Sequence, residues 1–211
     1  MKREVAILTK SSKFRGFCVA GVDINTGEWV RFVSNDERTH GALSVFDITY
    51  ENRKICKPLD IVSVDVVAPV PLPHQPENYL INSNEYWVKI GECTLFDVLG
   101  VHPAETWPFI YGNLNPYVAG REIDAIGHSL ILVKVSSLLI SQTTNMCNKP
   151  KTKASFIYNR NWYNNMSVTD PQFYSIQNGT RFSNAYLVIS LPDTPFPEDC
   201  YYKFVAQIYT P

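Results

Sequence analysis

Three groups of residues could hold a ligand: Trp29 with Arg31, the run Lys149, Lys151, Lys153, Tyr158, Arg160 and Trp162, and a cluster from Lys10 to Arg15. Residues i and i+2 of an extended chain share a face, so Trp29 and Arg31 set a ring beside a guanidinium. Such a pair can stack on a nucleobase and hydrogen-bond a phosphate. Phe156, Tyr158, Arg160 and Trp162 read the same way, as one face of a strand from Phe156 to Tyr163 that follows three lysines. Lys10, Ser11, Ser12, Lys13 and Arg15 fall in what reads as a loop from Thr9 to Gly16, where hydroxyls and cations could cradle a phosphate. Each group has a plainer reading: an Arg stem laid over a Trp covers a sheet, a Tyr-rich strand packs on a core, and charged loops are solvated.

Acid–base chemistry has thinner support. His74, Gln75, Glu77 and Asn78 form a polar cluster with a possible acid–base pair, and Cys18 with His40 could be drawn as nucleophile and base. Neither set has a visible third group to orient it, so no catalytic residue is assigned. The HExxH, GxSxG, Walker-A and GxGxxG patterns are absent, which removes the easily read enzyme classes. Cys18, Cys56, Cys93, Cys147 and Cys200 are odd in number and widely spaced, with no C-x-x-C pair, so reduced thiols are expected. The four histidines stand at no ligand spacing from them, and neither a metal nor a cofactor is expected.

The elements that must position these groups read as strands. Gly16 to Ser34 is a complete β-hairpin around a turn at Asp23-Ile24-Asn25-Thr26-Gly27, where Asp and Asn bond local backbone and Gly accepts positive φ. Strands are also read at Arg3–Thr9, Ile61–Val67, Ser129–Ile140, Ala185–Leu191 and Tyr201–Tyr209. A short helix at 94–100 has Thr94 as N-cap, an acid three residues on, and Gly100 as terminator. Residues 43–50 are ambiguous. Ala68 to Pro76 holds four prolines, which no sheet interior accepts, so it reads as an extended edge or a connector. Ser141 to Asn184 is the longest stretch without periodicity.

With 211 residues, the chain accommodates one large domain or two of about a hundred residues. The Pro-, Gly- and aromatic-rich stretch 102–127 places a division near Asn113, giving domains 1–112 and 113–211. Hydrophobic residues are 45% and charged residues 18%, a globular composition without a bilayer-spanning run. Glu4 and the short apolar run before Thr9 give no secretory signal, so the expected address is the cytoplasm, with no membrane partner. A net charge of −1 argues against a wholly basic binder, but residues 1–20 hold five cations against Glu4, and 145–181 five against Asp170. A near-neutral chain can thus still present local anion-binding faces.

The segments CVAGVDINTGEWVRFVS, PHQPENYLI and LVISLPDTPF…YYKFVAQIY resemble the bacterial and phage proteins described as dual OB-domain containing. The resemblance implies two tandem five-stranded OB barrels in an all-β chain with minor helix, and a nucleic-acid or nucleotide role without established catalytic residues. Many short strands with polar turns favour small barrels independently. An OB barrel binds across its second and third strands and the adjoining loops, so the candidate groups near Trp29 and near Trp162 would each fall on such a face. The expected function is a non-catalytic binder of single-stranded nucleic acid or a nucleotide. A protein-interaction module, for which twelve tyrosines and four tryptophans also suit, is the alternative, and a nucleotide-processing enzyme comes third.

Overall fold

The computed structural model describes residues 1–145 and 147–210, and the chain forms two compact units, Met1–Pro103 and Ala104–Pro211. In the first, strands β1 (Lys2–Lys13), β2 (Gly16–Asp23), β3 (Trp29–Val33), β4 (Asp60–Pro69), β5 (Asn78–Ile81) and β6 (Val88–Glu92) precede helix α1 (Leu95–Val101). The strand order is β1-β2-β3-β5-β4, with β4 pairing back onto β1 to close a barrel and β6 added beside β4. Strands β3 and β5 run parallel, with Arg31 opposite Asn78, while the other pairs are antiparallel.

In the second unit, β7 (Tyr117–Ala119) and α2 (Gly120–Ile123) come before β8 (Leu130–Thr144), β9 (Pro150–Tyr158), β10 (Asn161–Val168), β11 (Arg181–Ser190), β12 (Cys200–Tyr202) and β13 (Phe204–Tyr209). The closed barrel is β8-β9-β10-β13-β11, and its one parallel pair is β10 with β13. Both units therefore share one order, first-second-third-fifth-fourth, with the third and fifth strands parallel. This is the five-stranded OB barrel, twice over.

Alternation built the barrels. Val5 and Ile7 on β1, Val19 on β2, Val30 and Phe32 on β3, and Val62, Val64 and Val66 on β4 point inward around Trp87. The second core gathers Val133, Val135, Phe156, Tyr163, Leu187, Ile189 and Val205, and takes in Ile110 and Tyr111. The structural division at Ala104 and the sequence division near Asn113 thus differ by a segment that packs into the second core. The Asp23 turn forms as its residues dictate: the Asp23 carboxylate accepts from the Asn25 and Thr26 N–H groups at 2.9 and 3.2 Å, and Gly27 adopts φ +73°. A Cβ on Gly27 would lie 2.5 Å from the Val101 carbonyl oxygen, so α1 can approach this turn only because the residue is glycine.

Several elements differ from the sequence reading. Strand β1 continues to Lys13, so the expected Thr9–Gly16 loop shrinks to a turn at Phe14 and Arg15. Its polar residues are strand residues, with Ser11 opposite Cys18 and Ser12 opposite Phe17. The ambiguous 43–50 stretch is mostly turns that bury Leu43, Ile48 and Tyr50. The proline-rich stretch ends β4 and then forms the loop between β4 and β5, so it is internal to the first barrel. Helix α1 carries the full Thr94–Asp97 capping box but runs past Gly100 to Val101. Most of Ser141 to Asn184 is strand: its polarity marks a barrel face, not irregular backbone.

Candidate functional site

The corresponding faces of the two barrels, formed by the second and third strands, differ in exposure. On the first barrel the outward residues are Cys18, Ala20 and Val22 of β2 and Trp29, Arg31 and Val33 of β3, with Ala20 opposite Arg31 and Val22 opposite Trp29. Ala20 and Val22 are 0% exposed and Arg31 is 4% exposed. The Arg31 guanidinium is ion-paired to Glu77 at 3.6 Å and donates to the Cys18 sulfur at 2.9 Å. The parallel pairing of β3 with β5 brings Glu77 there, since the Arg31 N–H also donates to the Glu77 carbonyl at 2.8 Å. Arg31 is consequently a buried charge held by a carboxylate, and the expected Trp29–Arg31 pair open to a ligand does not form.

Trp29 is half-buried, its ring edge-on to His102 with centroids 5.1 Å apart, and His102 Nδ1 lies 2.8 Å from the Gly27 carbonyl. Its ring therefore ties the hairpin to the end of α1. Trp29→Ala is expected to destabilise the first unit by about 2 kcal/mol, below the range for a fully buried ring because the site is half-exposed. Thermal melting beside oligonucleotide titration checks this, and the expected result is a lower melting temperature with unchanged affinity.

The polar cluster His74, Gln75, Glu77 and Asn78 is buried throughout, at 5, 2, 6 and 4% exposure. The Asn78 amide donates to the Gln75 side chain at 3.0 Å. These residues sit in a proline-flanked polar loop that packs inside the protein, so the possible acid–base pair is not open at the surface. Cys18 and His40 are not brought together either: the Cys18 sulfur takes its bond from Arg31, while the His40 ring stacks on Phe14 at 4.8 Å.

Most of the residues near the start of the chain are engaged by the protein itself. Ser11 is 3% exposed. Lys10 donates to the Cys56 carbonyl at 2.9 Å, and burial lowers its pKa from the ordinary lysine value. Lys13 donates to the His40 carbonyl at 2.6 Å. Ser12 is half-buried on the strand, and Arg15 stays exposed on a groove shared with Asn35 and with two acids, Asp36 and Asp47, that offset its charge.

The second barrel presents the opposite picture. The register sets Trp162 of β10 opposite Ile157 of β9, and Ser167 opposite Lys153. Lys151, Lys153, Ser155 and Ile157 alternate with the inward Thr152, Ala154, Phe156 and Tyr158, so the lysines, Trp162, Asn164 and Ser167 share the outward side. Trp162 is 43% exposed and Lys151 is exposed. Lys153 is half-buried and donates to the Ser167 hydroxyl at 2.8 Å, and burial followed by the neighbouring Lys151 lowers its pKa. Lys149 lies in the loop joining β8 to β9, where the Asn145 side chain accepts from the Cys147 and Lys149 N–H groups at 3.0 and 2.9 Å.

Two members of the expected aromatic run are placed differently. Phe156 to Tyr163 is a hairpin and not one strand, because Asn159 and Arg160 both adopt positive φ, +46° and +65°, in a two-residue turn. Arg160 is therefore exposed at the tip. Tyr158 is 4% exposed, its hydroxyl donating to the Glu105 carbonyl at 3.2 Å and its pKa pushed up to about 12, chiefly by burial. Tyr158 belongs to the core. The sequence reading did not single out Asn164 and Asn165, which occupy a bulge where the β9–β10 register shifts between Tyr163 and Met166, with Asn165 at φ +53°. The adjacent Asn-Asn pair was its visible trace.

Among the described residues no cluster of three or more His, Cys, Asp or Glu could hold a metal ion, and no helix is long and apolar enough to cross a membrane. No curated protein matches the chain. The family model described as the dual OB-containing domain matches residues 3–208, and with two barrels of one strand order inside that span the chain belongs to the dual OB-containing domain family.

Proposed function

We propose that this protein is a non-catalytic binder of single-stranded nucleic acid, engaging it through the outward face of β9 and β10. OB barrels commonly bind nucleic acids or proteins, and the second and third strands are the face they use for oligonucleotides. One observation carries the reading: the exposed Trp162 ring shares its barrel face with Lys151 and Lys153, while the corresponding Arg31 of the first barrel is consumed by Glu77. Stacking on a ring is indifferent to base identity, and lysines two residues apart, about 7 Å along a strand, track a phosphate backbone. Arg160 at the hairpin tip and Lys149 in the β8–β9 loop extend the positive face at both ends.

The test is titration of a labelled single-stranded oligonucleotide over a series of salt concentrations. Affinity that falls steeply with salt and requires several nucleotides supports the proposal. Affinity for a mononucleotide that persists at high salt assigns a nucleotide site instead, and absence of binding to either removes the reading.

A second reading, a protein-interaction module, rests on a different surface. In the first unit Val45, Phe46, Ile55 and Tyr86 line a groove of about 520 Å³, with Phe46 87% and Tyr86 62% exposed. Exposed apolar patches of this kind mark contact sites. Capture of a protein from lysate that survives nuclease treatment, and is lost when Phe46 and Tyr86 become Ser, favours it.

A further inference from the structure

We infer that Asn164 makes this face discriminate among bases, favouring those with a keto group over those with an amino group at the Trp162 position. The inference rests on the proposed single-strand reading and adds a chemical preference to it. Trp162 and Asn164 are both exposed and stand two residues apart on the outward side of β10. The Trp162 indole Nε1–H donates to Asn164 Oδ1. An indole N–H can only donate, so it fixes which way round the amide sits. Among the described residues the Asn164 side chain makes no other hydrogen bond, and its NH2 is the end presented to a base stacked on Trp162.

A free asparagine reads adenine with both ends, accepting from N6–H and donating to N7. With the oxygen engaged by Trp162, the side chain chiefly donates. At position 4 of a pyrimidine and position 6 of a purine, uracil, thymine and guanine offer a carbonyl oxygen to that donor, whereas cytosine and adenine carry an amino group there, setting donor against donor and leaving adenine only its ring N7. The bulge makes this presentation possible. Asn165 takes the left-handed backbone position and its N–H is held by Ser155 Oγ at 3.0 Å, so Asn164 keeps ordinary φ while the strand bends beneath it. Asn164 can accordingly be substituted without backbone strain.

The comparison that isolates this contact is oligo-dU against oligo-dC of equal length at one salt concentration, since the two bases differ only in the group at position 4 and the N3 proton. The full chain is expected to bind oligo-dU about three- to tenfold more tightly, a fraction of what a good bidentate base contact contributes. Asn164→Asp turns the donor into an acceptor suited to the cytosine amino group, so it should reverse the ratio even though its charge weakens both affinities. Trp162→Phe keeps a ring to stack on but frees the amide to turn, and the ratio should fall toward one while much of the affinity survives. A wild-type ratio of one, or a ratio that Asn164→Asp leaves untouched, overturns the inference while the single-strand reading stands. Failure to bind either oligonucleotide overturns both.

Discussion

Replacing Lys203 by Met is expected to destabilise the second unit by about 3 kcal/mol, because the variant leaves buried carbonyl oxygens with no donor. Lys203 is 1% exposed and sits in the break between β12 and β13. Its ammonium donates to the Ile110 carbonyl at 2.7 Å, the Asn113 carbonyl at 2.9 Å and the Asn113 side-chain oxygen at 2.8 Å. All three of its protons are therefore used, and they hold segment 110–113 against the barrel. The same segment is held by Tyr163, whose hydroxyl accepts from the Ile110 N–H at 2.9 Å, and by Tyr111, whose hydroxyl donates to the Ile189 carbonyl at 3.0 Å. Methionine matches the length and apolarity of the stem but donates nothing. Urea denaturation should show a lower midpoint, and hydrogen exchange should show the loss concentrated at 110–113. An unchanged midpoint would mean that water replaces the ammonium without cost.

A pH dependence belongs to the same residue. Burial pushes the Lys203 pKa down to about 7 from an ordinary 10.5. Below pH 7 the folded and unfolded chains both carry the proton, and the cost of burying the charge is fully felt. Between about 7 and 10.5 the unfolded chain keeps a proton that the folded chain has shed, so stability rises with pH across that window. Three acceptors around the nitrogen favour the ammonium and narrow the window without inverting its sign. Wild-type stability should rise from pH 7 to pH 9.5 relative to the Lys203→Met variant, in which this contribution is absent.

Neither Lys203 nor its cage was legible in the sequence, because a lysine in YYKFVAQIY looks like any exposed strand residue and its acceptors lie some ninety positions earlier. What could be read was local. The Asp23–Gly27 turn and the Thr94–Asp97 capping box each complete their hydrogen bonds within a few residues, and both formed as their side chains dictate. Strands with apolar alternation, such as Val62, Val64 and Val66, also declared themselves.

Long-range pairing was the limit. Arg31 looked like a ligand group because Glu77, which neutralises it, arrives through a parallel pairing 46 residues away. The polarity of Lys10 to Lys13 suggested a loop, yet pairing with β2 carries those residues on as strand. In the second barrel polarity misled in the same way: β9 and β10 keep polar residues on one side because that side is open. Their turn was missed because Asn159 and Arg160 take positive φ without a glycine to signal it. The polarity that hid these strands from a periodicity argument is also what suits their surface to an anionic ligand.

Two sets of substitutions on that surface should separate charge from stacking. Lys149, Lys151 and Lys153 all changed to Ser should flatten the dependence of log affinity on log salt by up to about two units, since each phosphate contact on a single strand contributes about 0.7. Lys153 is half-buried and already bonded to Ser167, so its share should be the smallest of the three. Trp162→Ala should instead weaken binding by about 1–3 kcal/mol at every salt concentration and leave the slope nearly unchanged, because a stacked ring displaces few counterions. Tyr158→Ala, on the inward side of the same hairpin, should lower the melting temperature through the lost core ring and the lost bond to Glu105. The outward and inward aromatics must therefore diverge, one in affinity and the other in stability. If both lysine and tryptophan variants keep wild-type affinity and slope, the β9–β10 face is not a nucleic-acid surface, and the groove between Phe46 and Tyr86 becomes the better place to look for a partner.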